Sequence, residues 1–140
     1  MSQCPSTLPV PSYSGTILIV EDYKELRNLI GEILKEAGYQ VSEAANGEEG
    51  LSWLREQRAD VNLVITDLAM PGMDGHAFAE QIRAEQVRQA RPDIKIVFMS
   101  ADPDPVLERV GAWEHGIRLL RKPFTDEELI ACVRDALKPE

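Results

Sequence analysis

The sequence predicts an α/β fold in which a parallel β-sheet is covered by helices on both faces. Short runs typical of strands alternate five times with stretches of helical periodicity. Strict alternation of this kind is typical of parallel sheets with right-handed crossovers. The first run, residues 17–20, is apolar at every position, as expected of a strand that is buried on both faces.

The first two β-α units can be assigned element by element. The strand at residues 17–20 precedes a helix that ends at Gly38 and whose apolar positions recur every three or four residues. Those positions are Leu26, Leu29, Ile30, Ile33, Leu34 and Ala37. A second strand, at residues 40–44, leads to a helix for which Asn46 is the predicted N-cap and Glu49 its capping-box partner.

The remaining three units follow the same pattern, with strands predicted at residues 63–65, 94–99 and 118–121. The third helix is predicted to bury Phe78, Ala79 and Ile82. The fourth is predicted to begin at Asp104 and Pro105, since proline is favoured at the first helical position. The last helix has a capping box, Thr125 and Glu128, before the apolar stripe Leu129, Ile130, Val133 and Leu137.

The composition argues against several classes of function. The 140 residues carry 15 Lys and Arg against 24 Asp and Glu, a formal net charge of −9, which disfavours direct binding to nucleic acid or to an anionic membrane. No apolar run approaches the ~18–20 residues that span a bilayer. Cys4 and Cys132 lack a metal-ligand spacing, so we expect two reduced thiols in a cytoplasmic protein.

The chain is predicted to contain one domain after a short tail. Residues 1–15 include three prolines, four serines and no charged residue, which predicts a flexible tail or a linker. Residues 16–140 are then long enough for a single domain, since domains cluster at roughly 100–150 residues.

Polar side chains follow four of the five predicted strands. Glu21 and Asp22 come after the first strand, Asp67 after the third, Ser100 after the fourth and Lys122 after the fifth. In parallel α/β sheets, ligands bind beyond the carboxyl ends of the strands. We therefore expect three carboxylates, a hydroxyl and an ammonium to meet at one edge.

This set of side chains favours metal-assisted phosphoryl transfer. Carboxylates packed together repel one another unless a cation neutralises them, and Mg²⁺ prefers carboxylates together with water and phosphate oxygens. One carboxylate can then attack phosphorus and form an aspartyl phosphate. The ammonium and the metal would stabilise charge on the phosphoryl oxygens, while the hydroxyl donates a hydrogen bond.

Four motifs together resemble the receiver domain of two-component response regulators. They are the run that ends in Glu21-Asp22, the segment Asp67-Leu-Ala-Met-Pro-Gly-Met-Asp-Gly75, Ser100-Ala101 and Lys122-Pro123-Phe124. They occur in the family's order and at its spacings, and the resemblance covers about residues 16–138. It implies a flavodoxin-like, doubly wound (βα)5 fold with a five-stranded parallel sheet in the order 2-1-3-4-5.

The resemblance also implies roles for these residues. Asp67 would be the phosphoacceptor, Ser100 and Lys122 would contact the phosphoryl group, and Mg²⁺ would be the cofactor. The implied metal ligands are Asp22 directly, Glu21 through water, Asp67, and the backbone carbonyl of Ala69.

Pro71 and Gly75 would shape the loop after Asp67. The Lys122-Pro123 bond matches a position that is cis in this family, and cis costs proline only about 0.5–1 kcal/mol.

The implied partners are a histidine kinase or histidine phosphotransfer domain as donor and a downstream protein as target. Such a protein is not an enzyme beyond accepting the phosphoryl group and slowly losing it.

The shortened segment before Arg118, with Phe98-Met99-Ser100, resembles receivers attached to hybrid sensor kinases. One departure from the family is Leu119, where an aromatic switch side chain is usual. We therefore expect signalling to proceed through residues 101–116, with Leu119 serving in packing.

Three other functions fit parts of the pattern. A degenerate receiver would serve only as a docking module, although all the site residues are present. A phosphatase with an aspartate nucleophile would want a second aspartate as general acid, where this chain has Ala69. A nucleotide- or flavin-binding module would need a glycine-rich phosphate loop after the first strand, where Glu21-Asp22-Tyr23-Lys24 stands instead.

Overall fold

The computed structural model describes residues 15–56, 61–67, 75–88, 94–101 and 117–138. The strands in these ranges are β1 (Thr16–Val20), β2 (Gln40–Ala44), β3 (Leu63–Asp67), β4 (Lys95–Ser100) and β5 (Ile117–Arg121). The helices are α1 (Lys24–Glu36), α2 (Gly47–Glu56), α3 (Gly75–Arg88) and α4 (Asp126–Leu137). The predicted tail and the helix predicted near Asp104 lie outside the described residues.

The five strands form one parallel sheet in the order β2-β1-β3-β4-β5, which confirms the expected fold. β1 lies between β2 and β3, with Ile17 opposite both Val41 and Leu63. The chain therefore first builds one side of the sheet and then crosses β1 to build the other. This reversal places the carboxyl ends of β1 and β3 side by side, where a ligand site is expected.

Alternate residues of the strands face two separate cores, as the pleat of a strand requires. Leu18 and Val20 of β1 contribute to the core under α2 and α3, whereas Ile17 and Ile19 contribute to the core under α1 and α4. All four side chains are fully buried. This explains why the sequence of β1 is continuously apolar and does not alternate with polar residues.

Helix ends follow the predicted local signals. After α1, Gly38 adopts a φ of 107°, a left-handed conformation that favours glycine. The N–H of Gly38 donates to Lys35 and that of Tyr39 donates to Leu34, which is the Schellman arrangement. Asn46 accepts from the N–H of Glu49 at 2.8 Å, as predicted.

The last helix also begins as predicted. The Thr125 hydroxyl accepts from the N–H of Glu128, and the Glu128 carboxylate accepts from the N–H of Thr125. Leu129 and Val133 are buried within the α1–α4 core, and Ile130 and Leu137 pack against it. The capping box therefore fixes the start of α4 directly after the residues that follow β5.

Two local predictions differ from the structure by more than a one-residue shift of a strand end. β3 extends two residues beyond residue 65, because Thr66 and Asp67 continue to pair in register with Phe98 and Met99. Leu29 is 51% exposed, although its spacing places it near the apolar stripe of α1. It lies at the margin of that stripe and lines a cleft of about 270 Å³ between α1 and the segment after β5.

Among the helices of the described residues, none combines the length and the apolar composition needed to cross a membrane.

Candidate functional site

The carboxyl ends of β1 and β3 bring three carboxylates together. Glu21 and Asp22 directly follow β1, and Asp67 is the last residue of β3. One carboxylate oxygen from each residue lies within 4.8 Å of the others. Glu21 is buried, Asp67 is half-buried and Asp22 is exposed, so the group opens to solvent on the side of Asp22.

Lys122 reaches this group from the segment that follows β5. Its Nζ lies 2.6 Å from Oδ2 of Asp67 and 3.3 Å from Oε1 of Glu21. The Lys122–Pro123 peptide bond is cis, as the resemblance implies. The ammonium thus forms ion pairs with the two less exposed carboxylates and leaves Asp22 on the open side of the group.

Glu21 is held by its surroundings at several points. Its side chain is almost fully buried, with an exposed fraction of 1% for the residue. Its Oε2 accepts from the N–H of Tyr23 at 3.0 Å, and its own N–H donates to the carbonyl of Ala44 in β2 at 3.1 Å. Burial raises the pKa of the Glu21 carboxyl above its ordinary value, although the Tyr23 N–H and the Lys122 ammonium act in the opposite direction.

Lys122 is stabilised as an ammonium. Burial by itself would lower the pKa of Lys122. The hydrogen bond that Lys122 donates to Asp67 and the charge of Asp67, followed by the charge of Glu21, outweigh burial, so the pKa of Lys122 is raised above its ordinary value. The site therefore keeps a fixed positive charge next to Asp67.

Ser100 lies at the same edge of the sheet, as predicted from its position at the end of β4. It is buried, with an exposed fraction of 8%. Its carbonyl accepts from the N–H of Lys122 at 2.8 Å, which connects the ends of β4 and β5. Leu119, within β5, is half-buried and packs against the core under α2 and α3.

Several expectations concern segments outside the described residues. The proposed metal-ligating carbonyl of Ala69 and the loop residue Pro71 belong to such a segment. Residues 102–116, which make up all but the first position of the segment 101–116 expected to carry the signal, belong to another. Gly75 begins α3, as expected of the residue that closes the loop after Asp67.

The ligand atoms available at this edge fit a hard divalent cation. All three side chains contribute oxygen, the element that Mg²⁺ prefers, and one of the carboxylates faces solvent where bound water can complete an octahedral shell. Without a metal, the negative charge of the three carboxylates is neutralised only in part. Among the described residues, Asp67 and Glu21 both form ion pairs with the same ammonium, that of Lys122. Glu21, Asp22 and Asp67 are therefore the residues that would hold Mg²⁺.

Sequence reasoning missed one charged residue beside the acids. Arg27, in α1, donates from Nη1 to the backbone carbonyl of Glu21 at 2.7 Å and from Nε to Oε1 of Glu43 at 3.3 Å. The only sequence signal was a cation in the first helical turns after an acidic pair. Such a cation is common at a helix surface, so its contact with the Glu21 carbonyl appears only in three dimensions.

Comparison with known proteins gives consistent results. A family model described as the response regulator receiver domain matches residues 17–134. The sensor kinase CckA of Brucella abortus (strain 2308) is 33% identical over 129 residues, which are 92% of this chain and 13% of that kinase. The chain spans less than half the length of the curated relatives it matches.

Solved structures show the same architecture. The chemotaxis protein CheY4 of Vibrio cholerae superposes with a TM-score of 0.76 at 27% identity, covering 89% of this chain and 99% of that one. The receiver domain of the hybrid histidine kinase CckA superposes with a TM-score of 0.71 at 31% identity, covering 89% of this chain and all of that one. Both similarities therefore extend over most of this chain.

Proposed function

Because this chain belongs to the family of response regulator receiver domains of two-component signalling, we propose that it accepts a phosphoryl group from a partner phosphohistidine on Asp67. The proposal includes Mg²⁺ at Glu21, Asp22 and Asp67, with the Ala69 carbonyl as a further ligand. Ser100 and Lys122 contact the phosphoryl oxygens. The receiver unit comprises residues 16–140, after a tail or linker at residues 1–15.

One observation carries this proposal: a half-buried carboxylate at the end of a central strand has both an ammonium and two further carboxylates around it. The Lys122 Nζ lies 2.6 Å from Asp67, and the oxygens of Glu21, Asp22 and Asp67 lie within 4.8 Å of one another. A purely structural ion pair would need neither the second nor the third carboxylate. In an acceptor that binds a metal and a phosphoryl group each has a use, because carboxylates hold the cation and the ammonium stabilises the phosphoryl oxygens.

The chemical step is a direct transfer between two nucleophiles. A carboxylate oxygen of Asp67 attacks phosphorus and forms the O–P bond, while the N–P bond of the donor phosphohistidine breaks. The imidazole nitrogen leaves with the electron pair of that bond, and the ring departs as neutral imidazole because its other nitrogen carries a proton taken from solvent. No oxidant or reductant is required. The Lys122 ammonium stays beside the acceptor and stabilises charge on the phosphoryl oxygens. Mg²⁺ held by Glu21, Asp22 and Asp67 would supply the same stabilisation and would offset the charge of these acids.

The protein's partners follow from this chemistry. The donor is a histidine kinase or a histidine phosphotransfer domain, and the phosphorylated form binds a downstream protein. We propose a cytoplasmic location, where such donors present their phosphohistidine, and no enzymatic activity beyond slow loss of the phosphoryl group. The similarity to hybrid-kinase receivers supports a phosphorelay as the setting.

A small donor with a P–N bond tests the proposal without knowledge of the partner. Incubation with phosphoramidate and Mg²⁺ should add one phosphoryl group to the intact mass, and a chelator added beforehand should prevent it. A docking-only receiver would remain unlabelled under both conditions. A phosphatase would release inorganic phosphate from a phosphomonoester continuously, whereas the receiver should turn over only as fast as its own acyl phosphate hydrolyses.

A further inference from the structure

Arg27 joins the acidic pair to the neighbouring strand. Its Nη1 donates to the carbonyl of Glu21 at 2.7 Å, while its Nε pairs with Oε1 of Glu43, in β2, at 3.3 Å. The Arg27 side chain is only 15% exposed and that of Glu43 28%. A guanidinium presents its donors in a fixed planar fork, so the two contacts together orient it.

The accepting carbonyl belongs to the peptide that links Glu21 to Asp22. That peptide is planar, so holding its carbonyl also holds the N–H of Asp22 and the direction in which the chain leaves Glu21. The preceding N–H of Glu21 is held as well, by the carbonyl of Ala44. Both polar backbone groups of Glu21 are therefore fixed against β2, one directly and one through Arg27.

Without Arg27, the backbone of Glu21 would be tied to β2 through its N–H alone, and the carbonyl of the Glu21–Asp22 peptide would lose the contact that holds it. Asp22 is exposed, so its carboxylate depends on the backbone to stand beside Glu21 and Asp67. Like-charge repulsion among the three carboxylates favours rotation of Asp22 away from the others. A fixed peptide opposes that rotation before a metal binds.

We propose that Arg27 is a positioning residue for Mg²⁺: it locks the Glu21–Asp22 peptide so that the Asp22 carboxylate is already aimed at the metal. This inference rests on the proposed function. Glu43 serves in it as the anchor of the guanidinium. Groups that orient metal ligands in this way typically contribute about 10- to 100-fold to metal affinity.

The sign of the effect separates positioning from charge. By Coulomb's law alone, removing a cation near three carboxylates makes the site more attractive to Mg²⁺ and lowers the dissociation constant. Loss of positioning raises the dissociation constant, because part of the binding energy is then spent on ordering Asp22. The two effects thus move the measured affinity in opposite directions.

The test is a calorimetric titration of the full chain with MgCl₂. We expect Arg27→Gln to raise the Mg²⁺ dissociation constant about tenfold, in the range for a residue that orients a metal ligand. Arg27→Lys keeps the charge and can donate to the Glu21 carbonyl but has no fork to bond Glu43 at the same time, so we expect an intermediate dissociation constant. An unchanged or lower dissociation constant in Arg27→Gln would overturn the proposal.

Arg83→Gln is the matched control. Arg83 also donates to a backbone carbonyl, that of Ile94 at 2.6 Å, but at the amino end of β4 and hence at the opposite edge of the sheet. We expect the Arg83→Gln protein to bind Mg²⁺ like the parent, even where thermal unfolding shows a loss of stability. Weakening equal to that of Arg27→Gln would mean a general structural effect and would contradict positioning.

One further readout and the parent titration keep the outcomes distinct. Circular dichroism reports whether Arg27→Gln is folded; if it is not, the Arg27→Lys titration decides, and parent-like Mg²⁺ affinity there overturns the proposal. A parent protein that binds no Mg²⁺ at all overturns the proposed function together with this inference. A parent that binds Mg²⁺ beside an equally tight Arg27→Gln overturns the inference alone.

Discussion

The ammonium of Lys122 lies 2.6 Å from a carboxylate oxygen of Asp67, although 55 positions separate the two residues in the chain. The sheet makes this contact, because β3 ends at Asp67 and Lys122 follows β5 at the same edge. A carboxylate held beside an ammonium and two other acids is a poor choice for stability alone, since burying charge costs free energy. We infer that the contact exists for chemistry, and the predictions below test that view.

Asp22 should dominate Mg²⁺ affinity. Asp22→Asn removes the charge of the most exposed carboxylate of the group, and we expect the Mg²⁺ dissociation constant to rise about tenfold or more because a hard cation favours charged oxygen ligands. Glu25→Gln is the control, since Glu25 is an exposed acid in the first turn of α1. Titration curves that coincide for Asp22→Asn and Glu25→Gln would remove Asp22 from the metal site.

Lys122 should separate phosphorylation from metal binding. In Lys122→Met, the charged donor beside Asp67 is lost, and we expect acyl-phosphate formation at saturating Mg²⁺ to slow about 100-fold, as for removal of a preorganised donor. Mg²⁺ affinity should be retained or increased, because an ammonium no longer competes for the carboxylates. Lys95→Met, at the amino end of β4, is the control. A Lys122→Met protein that labels at the parent rate would contradict the role of Lys122.

The capping box of α4 should contribute measurably to stability. Thr125→Ala removes the acceptor of the Glu128 N–H at 3.0 Å, and loss of such a cap costs about 1 kcal/mol of unfolding free energy. Thr125→Ser keeps the hydroxyl and should unfold in urea at nearly the parent midpoint. The prediction fails if the alanine and serine variants share one midpoint.

Cys132 should react slowly in the folded protein. Burial raises the pKa of its thiol above the ordinary value, with the Arg118 charge opposing the shift and the Asp135 charge adding to it. Because the thiolate is the nucleophile, alkylation of a Cys4→Ser protein at pH 8 should be much slower than in concentrated urea. Below the ordinary pKa of a thiol, burial of the neutral Cys132 thiol favours the folded state. This contribution to stability is lost as the pH rises through the raised pKa of Cys132. Equal alkylation rates in the folded protein and in urea would contradict the burial of the Cys132 thiol.

Local sequence signals predicted most elements because each depends on short-range physics. Apolar periodicity located the helices, Gly38 marked the end of α1, and Thr125 marked the start of α4. The polar residues that follow the strands predicted a site at one edge of the sheet. The order of strands was implied by family resemblance, since alternation of strands and helices alone permits more than one order. The structure confirms that order, in which β1 lies beside β3, and this neighbourhood brings Glu21, Asp22 and Asp67 into one group.

What escaped prediction depends on contacts across elements. β3 extends to Asp67 because its last two residues, Thr66 and Asp67, pair with β4. Two polar residues in a row give no sign of this pairing in the sequence. Leu29 is exposed because the apolar stripe of α1 is narrower than its spacing indicates. Arg27 meets the Glu21 carbonyl only because α1 folds back over the end of β1, and no local pattern encodes that approach.

Locating the acyl phosphate is the decisive measurement for the role of Asp67 as phosphoacceptor. Parent and Asp67→Asn proteins should be incubated with phosphoramidate and Mg²⁺ and compared by intact mass, with Asp126→Asn as a control in the first turn of α4. We expect one added phosphoryl group on the parent and on Asp126→Asn, removed by hydroxylamine, and none on Asp67→Asn. Equal labelling of Asp67→Asn and the parent would contradict it.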